Sequence, residues 1–344
     1  MGTPIRITSL PGAKEPTLAL DDRGGIHVAF GVGDALYLTS MPARMPASDT
    51  AFSAPMKIAQ AGHLALGMRR GPRLVAYGKS LVVSAVYGQQ GGGRDGELLV
   101  WRSMDGGKSW LGPATVNDVL GAAREGLHAM AAALDGTLAC AWLDLREKGS
   151  TVFASVSSDG GKTWSRNTRV YRSPAGTVCE CCHVSVCFTP SGELLVMFRN
   201  VLAGNRDMYL CRSHDRGKSF TPAQKLGVGS WPLNACPMDG GMIVTAANGQ
   251  TKTAWCREET VYTCSPGERE QRMEIGQQPW IAAGKEGFWS TWLVGRPGKL
   301  RIQNPTGTIT TLAKGANDPV LCSAGGVVAV AWTGLGGLWT SRLT

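Results

Sequence analysis

No stretch of the chain approaches the roughly 18 consecutive apolar residues that a membrane-spanning helix requires, which excludes a helical membrane span. Nor does the start carry a basic segment followed by an apolar run, the mark of an export signal. Met1-Gly2 leads straight into strand-like sequence, as in a cytosolic protein or a mature form given a new start codon. Charge is scarce, at 18% of residues, and the net +9 is scattered along the chain with Arg69-Arg70 the only basic pair of note. A nucleic-acid partner, which needs a basic stripe or patch, is therefore not expected.

Glycine, tryptophan and cysteine are plentiful instead. The 46 glycines and 11 tryptophans in 344 residues suit many short strands joined by tight turns. An aromatic residue closing a short apolar run recurs as Phe30, Tyr87, Trp142, Phe198, Trp255, Trp292 and Trp332. Most have a turn glycine five or six positions earlier, so each unit is expected to fold as strand, turn, strand. His128–Trp142 shows the pattern, with Asp135-Gly136 as its hairpin turn. Between these units stand three copies of Ser-x-Asp-x-Gly-x-Ser/Thr-aromatic, centred on Asp105, Asp159 and Asp215. In each, the carboxylate is placed to accept hydrogen bonds from its own turn, the glycine to take positive φ, and the ring to pack against the sheet.

These motifs resemble the Asp-box, or BNR, repeats of sialidase-like β-propellers, in which the box joins the third and fourth strands of a blade. The resemblance covers most of the chain. It implies an all-β fold, a single domain over residues 1–344, with seven blades by the count of aromatic-closed units; six is the alternative, because sialidases have six. The run Ile5–Leu10 is expected to close the ring as an outer strand of the last blade.

Ten cysteines are more than a cytosolic chain usually carries unless they bind metal or do redox work. Cys179, Cys181, Cys182 and His183 lie where the fourth unit's first strand begins, and a step of one repeat brings Cys236 to the position matching Cys179. Three thiols and an imidazole within five residues are soft ligands for copper, or less readily zinc, and Met238 offers a thioether. If the segment is extended, Cys179, Cys181 and His183 share one face while Glu180 and Cys182 take the other. The alternative is a disulfide joining Cys236 to this cluster, with Cys256 and Cys264 as a second candidate pair. Cys140, Cys187, Cys211 and Cys322 sit in apolar runs and are expected to be core thiols.

The chain resembles, more narrowly, a bacterial group of exported "exo-sialidase/BNR-repeat" proteins through Trp142–Arg146, the box at Asp159, Cys179–Cys182, Phe198–Asn200, Arg206-Asp207, Trp231 and Cys236-Pro237. That resemblance implies the periplasm or the cell exterior. It also raises a glycan ligand and a glycoside hydrolase in which Arg146, Arg199 and Arg206 bind the substrate and Asp144 or Asp207 acts as a carboxylate; a structural ion-pair ring would use the same residues. Tyr262, with Glu258 and Glu259, is the one nominee for a sialidase nucleophile, and Arg6 loosely resembles the sialidase start although threonine stands where that pattern has proline. Gln278 stands where the group often has histidine. His63 and His128 precede first strands, and Trp231, Trp280 and Trp289 are candidates for a sugar platform.

Overall fold

A computed structural model describes residues 2–43 and 51–344. The described residues hold 28 strands and no helix. They form six sheets, of which four are four-stranded antiparallel meanders in chain order. A fifth adds the short strand His63–Leu64 beside Arg73–Tyr77, both pairing with Ser80–Gly88. The sixth has seven strands and contains the N-terminal strand Ile5–Thr8, paired antiparallel to Gly337–Arg342 with Ile5 opposite Thr340. That pairing is the one expected for Ile5–Leu10. Within the same sheet the strand Ile309–Ala324 runs 16 residues. Its first half pairs with Gly298–Gln303 and its second with Val327–Gly334, so it serves two four-stranded units at once.

Every repeat aromatic falls on the second strand of its unit and is buried, from Phe30 to Trp332. Residues of adjoining sheets meet in shared cores, as where Trp142 and Phe153 pack with Val82, Leu98 and Val100. Burying one such aromatic contributes about 2–3 kcal/mol. The innermost strand of each unit neighbours that of the next, and the first, Lys14–Leu20, packs beside both Arg73–Tyr77 and Ile309–Ala324.

The three boxes join third to fourth strands, as the resemblance implies. In the second, the Asp159 carboxylate accepts hydrogen bonds from the N–H groups of Lys162 (3.1 Å) and Thr163 (2.9 Å) and from the hydroxyls of Ser157 (2.8 Å) and Thr163 (2.6 Å). The glycine two positions on, Gly161, has φ +84°. There a side chain would be strained.

Three inner strands carry a left-handed non-glycine residue followed by proline: Glu15 (φ 52°), Gln278 (φ 53°) and Asp318 (φ 50°). Each sits in a register shift against its neighbouring strand. Such a bulge bends the strand and re-aims a side chain, and these three residues are the ones brought toward the middle of the molecule.

Candidate functional site

Cys179–Cys182 is a turn rather than an extended strand: the N–H of Cys182 donates to the Cys179 carbonyl at 3.4 Å. The expectation that Cys182 faces away from Cys179 is corrected accordingly, because a turn brings its first and fourth residues together. Their Sγ atoms are 3.3 Å apart, with Cys181 Sγ 3.8 Å from Cys179. All three sulfurs lie within 4.8 Å of one another. Cys179 and Cys182 are buried, Cys181 half-buried. Arg206 Nη1 donates to Cys179 Sγ at 3.1 Å. Hydrogen bonds from Cys181 and Cys182, with the charges of Arg199 and Arg206, hold Cys179 well below the usual thiol range. Cys181 and Cys182 are pushed up, the former chiefly by its bond to Cys179 and the latter by burial.

Cys236, on the next unit, is exposed and lies within electrostatic reach of Cys181 and Arg206. Met238 is exposed. His183 is buried, and its Nε2 faces Arg69 Nη1 at 3.4 Å, so its ring belongs to the molecule's centre and not to the sulfur cluster. All ten cysteines are free thiols, so neither disulfide alternative is formed. Cys256 and Cys264 are not cross-strand partners, being opposite Val261 and Thr253. Cys140 and Cys211 are buried as expected, whereas Cys187 and Cys322 are half-buried.

The arginines and aspartates nominated for catalysis have separate partners. Arg146 is held by Asp144 (2.8 Å), Asp118 (2.7 Å) and Asn167 (2.7 Å). Arg199 is 2% exposed and caps backbone carbonyls of Asp239 (2.9 Å), Cys256 (2.9 Å) and Arg206 (2.7 Å). Arg206 also donates to the Leu233 carbonyl at 3.1 Å. Asp207 accepts from the Trp231 N–H at 2.9 Å and pairs with Lys225 at 2.9 Å. Arg146 shares none of these partners, so the three arginines do not converge on one point. Tyr262 stacks on Trp255 and lies beneath Arg257, which leaves it in blade packing. Trp231 is half-buried against Arg199, Trp280 half-buried against Arg69, and Trp289 is core.

At the centre, residues to which the sequence reasoning gave no shared role meet from five units. Glu15 accepts from the N–H groups of Gly67 and Arg69, both at 2.7 Å. Arg69 Nη2 donates to the Gln278 carbonyl at 2.8 Å, and the Gln278 N–H to Asp239 Oδ2 at 2.7 Å. Burial raises the Glu15 and Asp239 carboxyls, Asp318 adding to the first, and keeps His183 neutral beside Arg69, Arg73 and Arg199. An x-Pro dipeptide 14 or 15 residues before the closing aromatic would have flagged Glu15, Gln278 and Asp318.

Two further carboxylates were also missed. Glu125 borders a cleft of about 410 Å³ lined as well by His63, Arg70, Asp95 and Arg124. Arg70 reaches the Glu125 carbonyl at 2.7 Å. His63 pairs with Asp34 at 3.3 Å, while His128 is buried with its Nε2 3.0 Å from the Ser84 hydroxyl. Burial pushes the Glu125 carboxyl up; Arg70 opposes this, and the Glu180 carboxylate, within electrostatic reach from the next unit, adds to it. No signal in the sequence singled out these glutamates, because only the fold brings residues 125 and 180 together.

Meander sheets set side by side, box-fastened hairpins and innermost strands turned to a common centre define an Asp-box β-propeller. The chain belongs to the BNR repeat-like domain family, whose model matches residues 45–270. No curated protein sequence matches it. Among solved structures it is similar to the Penicillium chrysogenum α-L-arabinanase complexed with arabinobiose, at 15% identity and TM-score 0.58 over 99% of this chain and 97% of that one. It is likewise similar to a Dyadobacter fermentans protein of unknown function, at 16% identity and TM-score 0.56 with the same coverage. The leech intramolecular trans-sialidase matches at 9% identity and TM-score 0.53 over 93% and 83% of the two chains. At these identities the likeness is one of fold. Among the described residues no helix is long and apolar enough to cross a membrane.

Proposed function

We propose that this chain is a seven-bladed propeller that binds and hydrolyses a glycan at the cleft beside Glu125. The blade count follows if the seven-stranded sheet is taken as two blades sharing Ile309–Ala324. What supports the activity is that Glu125 borders a cleft large enough for a sugar unit and that Glu180, from the neighbouring unit, comes within electrostatic reach of it. Glycoside hydrolysis needs two carboxyls, one kept protonated as the acid and one ionised as base or nucleophile. Glu125, raised by burial, suits the acid, and the exposed Glu180 the second role. His63, Arg70 and Arg124 supply donors for sugar hydroxyls. A neutral sugar fits better than a sialic acid, whose carboxylate needs convergent arginines. The arabinanase, with its bound arabinobiose, supports this reading by its fold. Such a substrate is met outside the cytosol, so we place the chain in the periplasm or beyond it.

The test is turnover of a panel of fluorogenic glycosides, including an α-L-arabinofuranoside and a sialoside. Turnover of a neutral glycoside is expected, falling at least about 100-fold in Glu125→Gln without change in melting temperature. Absence of turnover together with absence of any thermal shift on adding arabinobiose would overturn the reading.

A second reading rests on the sulfur cluster. Three Sγ atoms within 4.8 Å of one another are arranged to take one soft cation, copper(I) before zinc. Cys179, Cys181 and Cys182 would be the ligands, with Cys236 nearest to complete the set. Metal analysis of reduced protein purified without a histidine tag should give one ion per chain, lost in Cys179→Ser; retention of none removes this reading.

A further inference from the structure

We propose that Cys179 and Cys182 are a redox-active pair that carries out thiol–disulfide exchange, with Cys181 as the entry sulfur. The pair has the Cys-x-x-Cys spacing, and a single turn closed by the Cys182 N–H to Cys179 carbonyl bond sets both sulfurs on one side, 3.3 Å apart. That is outside the S–S bond length of about 2.05 Å yet close enough for side-chain rotation to close it. Cys181 is the more exposed of the three and lies 3.8 Å from Cys179. The guanidinium of Arg206, 3.1 Å from Cys179 Sγ, is positioned to stabilise a thiolate as it attacks or leaves. Cys140 and Cys211 are buried thiols inside strands and lie in no such turn.

An incoming small-molecule disulfide R–S–S–R is attacked by the Cys181 sulfur as it passes its proton to the Cys179 thiolate 3.8 Å away, which forms Cys181–S–S–R and expels RS⁻; the RS⁻ takes that proton and leaves Cys179 ionised again. The Cys179 sulfur then attacks Cys181 Sγ, expelling the second RS⁻ and forming a Cys179–Cys181 bond. Cys182 displaces Cys181 from Cys179 and leaves the Cys179–Cys182 disulfide with Cys181 again a thiol. The protein loses two electrons; with Cys179 ionised at the start it gives up one proton, water supplies the other, and the two RS⁻ leave as two molecules of RSH. The scheme requires neither a bound metal nor the glycan activity.

The full chain, stripped of metal with a chelator, would be equilibrated in glutathione buffers of stepped [GSH]²/[GSSG], quenched with an alkylating agent and mapped by peptide mass. One disulfide, Cys179–Cys182, is expected, its fraction climbing from a tenth to nine-tenths over about an 80-fold change in that ratio and reversing when the ratio is reversed. Cys182→Ser should abolish it and Cys211→Ser leave it unchanged. If the three thiols stay alkylatable throughout, carry only mixed disulfides with glutathione, or bridge to other cysteines, the proposal fails.

Discussion

Arg69 Nη1 lies 3.4 Å from His183 Nε2, so the imidazole must stay neutral, offering its lone pair to the guanidinium. Burial also keeps His128 neutral, pushing it down to about 3. In the unfolded chain both histidines titrate near 6.5. Below that pH the unfolded state binds two protons the folded state does not, so stability falls as pH drops, by about 2.7 kcal/mol per unit while both groups count. The raised carboxyls of Glu15 and Asp239 work in the opposite sense at lower pH. The contribution is therefore best isolated by variant: between pH 7.5 and 5.5, urea unfolding should show His128→Asn losing about 1.4 kcal/mol less stability than the parent over the whole interval. An unchanged slope would mean that His128 is protonated in the fold.

Gly240 bears on the same histidine. A Cβ there would stand 2.2 Å from the His183 carbonyl oxygen and 2.6 Å from its Nδ1. Since backbone cannot yield as a flexible side-chain tip does, Gly240→Ala should destabilise by about 2–3 kcal/mol. Thermal melting checks this, with Gly249→Ala, a turn position whose Cβ meets nothing within 4 Å, showing the cost of positive φ alone.

Arg199→Ala is expected to damage the fold. Three buried carbonyls lose their donor, and leaving such groups unpaired costs about 1–3 kcal/mol each. Lost activity in this variant should come with a melting temperature several degrees lower. A variant inactive but unchanged in melting temperature would mark Arg199 as a substrate-binding residue instead.

In the Asp159 box, slight burial works against ionisation, but the hydrogen bonds from Thr163, Ser157 and Lys162 outweigh it and hold the carboxyl at about 2. The stabilisation is present above the unfolded pKa near 3.9 and is lost as pH falls toward 2. Because the site is exposed, solvent screening limits its size, and Asp159→Ala should cost about 1–2 kcal/mol at pH 7. The loss should shrink on acidification, as denaturant midpoints at pH 7 and pH 3 can show.

The boxes and aromatic-closed units were legible because their determinants lie within a few residues of one another. Ser157, Asp159, Gly161 and Thr163 fasten one turn, and Trp142 belongs to the strand that follows its own hairpin. The approach of Cys236 to Cys181 was also legible, since one repeat carries it there. The cysteine geometry was not, because alternation along a strand separates Cys179 from Cys182 whereas the turn joins them. Nor were Arg69 and Gln278 recognisable as partners, standing 209 residues apart in the chain and joined only when the units assemble. His183 was misassigned because adjacency in sequence says nothing of which way a ring turns at a strand entrance.

The strand Ile309–Ala324 passes from the rim of one unit to the centre of the next without a loop between them. A loop would act as a hinge; a continuous ladder acts as a lever. One unbroken strand thus joins the periphery near Ile309 to Asp318, which lies within electrostatic reach of Arg69 and Glu15 in the charged interior.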